Sequence, residues 1–121
     1  MSSQYNLNGL VFSPVQNSEH GTVAATTVFK FKQLGKQISA IYSGGDVVDG
    51  HIIGQFISND KAALLYHNVT KSGDLQAGEA EAIFAMLPDK RLTIHMNWQW
   101  LNGDKSNGIS YYEEIKNDTQ S

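Results

Sequence analysis

The chain has 121 residues, no cysteine, and 9 Lys and Arg against 12 Asp and Glu, a net charge of -3. That length suits one domain that removes roughly two-thirds of its extended surface from water on folding. A chain without cysteine has no disulfide framework, zinc ribbon or thiol nucleophile, and basic residues that cluster only as Lys30, Lys32 and Lys36 form no sustained stripe for nucleic acid.

The opening "MSSQYNLNGLVF" lacks the basic and apolar regions of a secretory signal, and no stretch approaches the ~20 apolar residues of a membrane span. The expectation is a soluble, cytoplasmic chain without nucleic-acid or membrane partners. Glycine is frequent (11), proline rare (2), and apolar residues mostly alternate with period two, which predicts strands joined by turns.

In chain order, a first strand near Leu10 to Phe12 leads through "SPVQNSEHG" to a second at Thr22 to Lys32. There Val23, Ala25, Thr27, Phe29 and Phe31 share the inward face. The third, Gln37 to Ser43, turns Ile38, Ala40 and Tyr42 inward and Ile41 outward. In the fourth, Val47 to Ile57, the even residues Val48, Ile52 and Phe56 read as inward, with Gly50 and Gly54 leaving space between them and Ile53 and Ile57 outside. A fifth spans Ala62 to Val69, where "ALLYH" is apolar in both registers and leaves the side of Tyr66 open.

The segment "DLQAGEAEAIFAML" is rich in Ala and Glu, which favour helix, but Gly78 and the alternation from Glu79 to Ala82 predict a strand, Gln76 to Met86. The seventh, Arg91 to Leu101, is the clearest: Leu92, Ile94, Met96, Trp98 and Trp100 form one apolar face, opposite Thr93, His95, Asn97 and Gln99. In the eighth, Ile109 to Ile115, one of Glu113 and Glu114 must point inward. With Ile109, Tyr111 and Ile115 on the core face, Glu113 goes with them and needs a partner such as Arg91 or a tyrosine.

A Gly-Asp-x-x-x-Gly frame occurs three times, as "GDVVDG" from Gly45, "GDLQAG" from Gly73 and "GDKSNG" from Gly103. The copies follow the third, fifth and seventh strands, so in an up-and-down meander they share one end with the first long connection. The short turns "QLGK", "SND" and "LPDK" and both termini take the other. Gly and Asp suit the turn itself and the closing Gly a bulge. The frame matches no calcium-loop pattern.

Open edges are removed if the sheet closes, and the fold class predicted is all-β: a single antiparallel up-and-down barrel of about eight strands. It forms one domain over 1–121, with its core at about 9–115 and a flexible tail at 116–121. Barrels of this size hold either packed side chains or one small ligand.

The stretches "YSGGDVVDGHIIGQF" and "NWQWLNGDKSNGISYYEEI" carry a resemblance, spanning about Gly9 to Ile115, to a family of small bacterial proteins similar to avidin-like or lipocalin-like barrels. Its members often inherit the automatic name N-acetylglutamate synthase, and the resemblance implies no catalytic or binding residues. The chain lacks the Gln/Arg-x-x-Gly-x-Gly/Ala loop with which a common acetyltransferase fold holds coenzyme A at a helix N-terminus.

His20, His51, His67 and His95 have no metal-ligand spacing, so neither metal nor cofactor is expected. The candidate ligand-binding residues are Tyr42, Tyr66, Trp98, Trp100, Tyr111 and Glu113, an aromatic wall with a few polar groups. The function expected is non-enzymatic binding of a small, partly apolar ligand at the end carrying the repeated loops. The alternatives are a packed barrel acting as a homodimer or protein-partner module through Ile41, Ile53 and Ile57, and, more remotely, an acetyltransferase.

Overall fold

In the computed structural model, which describes residues 5–17, 26–103 and 105–115, eight strands follow one another: β1 Val11–Asn17, β2 Val28–Leu34, β3 Gln37–Gly44, β4 Val47–Phe56, β5 Lys61–Thr70, β6 Leu75–Met86, β7 Leu92–Trp100 and β8 Asn107–Glu114. Each pairs antiparallel with its neighbour in sequence, and β8 pairs with β1 to close the barrel. Among the described residues no helix is long and apolar enough to cross a membrane.

The predicted "LQAGEAEAIFAM" strand is β6, twelve residues long. Its alternating small residues pair with the large residues of β7, Ala80 with Trp98 and Ala82 with Met96, and this cross-strand fit overrides helix propensity. The first strand is longer than predicted: β1 continues through Pro14 to Asn17. Proline has no N–H for the ladder, and the β1–β8 register shifts between Pro14 and Gln16, the kind of irregularity at which a strand tolerates it. The expectations for Thr22 to Ala25, including inward Val23 and Ala25, for His20, for Asp104 and for the tail 116–121 lie outside the described residues.

Phe29, Phe31, Ile38, Ala40, Tyr42, Ile52, Phe56 and all five apolar residues of β7 are buried as predicted. Two inward assignments are corrected. Val48 is 56% exposed and Val47 buried instead. The cause is an extra residue in β4: Val47 pairs with Thr70 and Asp49 with Val69, leaving Val48 unopposed, so that the alternation slips by one at the start of the strand.

The second correction concerns the whole of β8. Ser110, Tyr112 and Glu114 are buried, whereas Ile109 is 66% exposed and Tyr111 and Glu113 lie on the outer face. Antiparallel partners share a face, and Met96 pairs with Ser110 and Ile94 with Tyr112. Because Met96 and Ile94 are fixed inside by the long apolar face of β7, Tyr112 must follow them, and Tyr111 and Glu113 must face out opposite His95 and Thr93.

The two ends of the barrel differ in composition. At the end carrying the termini and short turns, Phe12 meets Phe31 edge-on at 5.3 Å and Phe56 lies 5.3 Å from Phe84, a dry aromatic plug. Glu114, the one charged side chain among the buried residues, accepts the Leu92 N–H at 2.9 Å there. At the other end, where the β3–β4, β5–β6 and β7–β8 turns gather, the inward side chains carry hydroxyls, an amide and indoles.

Candidate ligand site in the loop half of the barrel

The repeated frame builds this half. Gly44 and Gly45, at φ 113° and 62°, make the β3–β4 turn in a conformation that a side chain would strain. The closing glycines have another role. Gly50 pairs with Tyr42, Gly78 with Tyr66 and Gly108 with Trp98. A Cβ on Gly50 would collide with the Tyr42 ring, and one on Gly78 with the Tyr66 ring. The first two frames therefore supply a turn and, five residues on, a bare patch of backbone against which an aromatic ring of the preceding strand lies back along the wall.

Those rings and their neighbours form the site. Tyr42 stacks on Phe29 at 4.7 Å, Phe29 meets Tyr112 edge-on at 5.1 Å, Tyr66 meets Trp100 edge-on at 5.4 Å, and Trp98 and Trp100 are 5.9 Å apart. Two short hydrogen-bond chains hold the polar tips. Asn68 donates through Nδ2 to the Tyr42 hydroxyl at 3.0 Å, and that hydroxyl donates to the His67 carbonyl at 3.3 Å. The Trp98 indole donates to Ser110 Oγ at 2.7 Å, and Ser110 in turn hydrogen-bonds Tyr112.

Two polar atoms stand outside these chains. The Tyr66 hydroxyl and Asn68 Oδ1 are buried and have no hydrogen-bond partner. They belong to residues two apart on β5, hence on the same inward face. A buried polar atom left unpaired costs about 1–3 kcal/mol, so each of them marks a place where a partner from outside the chain would be stabilised.

Burial pushes the Tyr42 phenol up to about 12, opposed by the Asn68 hydrogen bond, and Tyr112 up to about 12, opposed by that of Ser110. Tyr66 is raised as well, by burial first and then by the neighbouring Tyr42, Tyr112 and Glu79. All three phenols are neutral near pH 7. They offer hydrogen bonds rather than a base or a nucleophile.

Of the predicted site residues, Tyr42, Tyr66, Trp98 and Trp100 come together here. Tyr111 and Glu113 do not. Tyr111 packs against His95 at 4.6 Å on the outer wall, and Glu113 binds Arg91 Nη1 at 3.1 Å, beside the 2.8 Å Arg91–Asp89 pair. The expected partner of Glu113 is thus present, on the opposite face. Asn68, Ser110 and Tyr112 were missed. Asn68 was legible once Tyr66 is placed inside, since it lies two residues on; Tyr112 and Ser110 needed the β7–β8 pairing.

A concavity of about 1300 Å³ is lined by residues of β2 to β8, with Lys32, Ile53 and Glu79 of the outer face and Ile38, Leu64 and Trp98 of the inner face among them. Among the described residues no cluster of His, Asp and Glu is suited to a metal ion.

Compared with known families, residues 5–115 match that of avidin-like proteins. The chain belongs to the avidin-like family. Searches among curated proteins and among solved structures returned no match. For an avidin-like barrel, the closed eight-strand meander is the expected frame.

Proposed function

We propose that the loop half of the barrel binds one small neutral molecule between the aromatic wall of Trp98, Trp100, Tyr42 and Tyr66 and the polar pair on β5. The observation that carries this reading is that pair: Tyr66 Oη and Asn68 Oδ1, buried and without partners. A ligand offering an N–H or O–H group to Asn68 Oδ1, with an adjacent donor or acceptor for the Tyr66 hydroxyl, would satisfy both. The buried polar residues around them, Thr27, Thr70 and Ser110, are uncharged, and the one buried carboxylate, Glu114, is at the far end. An ion would find no counter-charge, so the ligand is neutral where it meets the wall.

A thermal-shift screen of neutral metabolites, biotin among them, tests the reading, because a ligand that binds only the native state raises its stability. A compound that stabilises the wild type but not Tyr66→Phe or Asn68→Ala supports it. One that stabilises all three equally places binding elsewhere.

Association of barrels through the outer wall is a second reading, favoured by Ile41, Ile53 and Ile57, which are 54%, 66% and 55% exposed. It is compatible with the first because it uses the opposite face of the same strands.

A further inference from the structure

Two histidines that lie far apart in the sequence meet on the outer wall. His51 of β4 and His67 of β5 are direct cross-strand partners, both exposed, with their rings 5.6 Å apart and within 15° of parallel. Metal-ligand spacings are counted along one segment of chain, so a pair assembled by strand register escapes them.

A carboxylate stands behind one of the two rings. Asp49 Oδ1 is 3.2 Å from His51 Nε2, and on a neutral imidazole that contact holds the proton on Nε2 and leaves the lone pair on Nδ1. A carboxylate on the second ring nitrogen is the usual support of a metal-binding histidine. The surroundings set little positive charge against a cation. Ile41 flanks His51 on β3 and Ala77 flanks His67 on β6, while along the strands the Asp49–Val69 pair lies on one side and the Ile53–Leu65 pair on the other. Asp49 alone among these neighbours is charged. Lys30, next in the row beyond Ile41, is about 10 Å from His51, two strand spacings away.

We propose that His51 and His67 form a two-point chelate for a divalent transition-metal ion of the imidazole-binding class, Ni(II), Cu(II) or Zn(II), with Asp49 positioning the His51 ring. Among the described residues no group of three or more His, Asp and Glu is placed to hold an ion, so water completes the coordination and the site stays open. An ion about 2.0–2.1 Å from one nitrogen of each ring lies about 3.2 Å from each ring centre, which sets the centres about 4.5–5.5 Å apart at bond angles of about 90–120°. The observed 5.6 Å is just above that range, so closing on an ion asks for rotation of the side chains and not for movement of the strands. The chelate lies outside the barrel and is independent of the ligand proposed for the loop half.

Calorimetric titration of the full, tag-free chain with Ni(II) tests the proposal. One saturable site per chain is expected, and the ion is expected to raise the melting temperature, because the chelate exists only while β4 and β5 are paired. His51→Gln and His67→Gln are each expected to lower the affinity about ten-fold or more, with unchanged circular-dichroism spectra because both positions are exposed. Asp49→Asn is expected to weaken binding about ten-fold, and His95→Gln, on β7 against Tyr111, to leave it unchanged. In electron paramagnetic resonance of the Cu(II)-loaded chain, coupling to two imidazole nitrogens is expected for the wild type and for Asp49→Asn, and to one for either His→Gln variant of the pair. Absence of saturable binding up to millimolar Ni(II) would overturn the chelate, as would full affinity in His51→Gln or His67→Gln, or an equal loss in His95→Gln. Indifference to Asp49→Asn would overturn the positioning role of Asp49 alone.

Discussion

Tyr66 concentrates the argument at the scale of single residues. Its hydroxyl is buried without a partner, so removing it relieves a penalty instead of breaking a bond. Tyr66→Phe is expected to leave stability to urea unchanged or raised by up to about 1 kcal/mol, while lowering affinity for the ligand. Its ring also depends on a bare backbone: Gly78→Ala drives a methyl into it and is expected to cost about 1–3 kcal/mol as overpacking, measured in the same urea titrations. Trp98→Ala removes a large inward ring and the Ser110 bond and is expected to cost about 3–5 kcal/mol. His95, on the outer side of the same strand and touching Tyr111, is expected to change stability by less than about 1 kcal/mol on replacement by Ala.

At the scale of elements, β8 shows what alternation can and cannot decide. "ISYYEEI" offers an apolar or aromatic residue in either register, so its own pattern is consistent with both. The choice is made by β7, whose unbroken face from Leu92 to Trp100 leaves no freedom and passes its orientation through Met96–Ser110 and Ile94–Tyr112. β7 itself was legible for that reason, as were β3 and the small-large fit of β6. Val47 and Val48 are indistinguishable as apolar neighbours, and only the pairing with Val69 and Thr70 shows which one the core receives. The register of β8 has a direct test: Ile109→Lys is expected to alter the urea midpoint by no more than about 0.5 kcal/mol equivalent, and Tyr112→Ala to cost about 3–5 kcal/mol. Equal costs at the two positions would contradict the register.

For the whole molecule, the barrel reads as two unlike halves, with aromatic packing at the short-turn end and a neutral, hydroxyl-bearing inner wall at the loop end. Titration of that wall has a defined sign. Tyr42 and Tyr112 rise from 10.0 in the unfolded chain to about 12 in the folded one, so between those values the folded state holds protons that the unfolded state has released. Their contribution is fully present below pH 10 and lost as pH rises from 10 through 12. Urea midpoints measured across that window are expected to fall more steeply for the wild type than for Tyr42→Phe. The chain's two tryptophans both lie in this wall, which makes intrinsic fluorescence a reporter of the proposed site alone. The most direct measurement is therefore a tryptophan-emission titration with whatever neutral compound raises the melting temperature. The account predicts a saturable change at one equivalent per chain that is lost in Tyr66→Phe and Asn68→Ala. A compound that binds and stabilises the barrel while leaving the emission of Trp98 and Trp100 unchanged would contradict it.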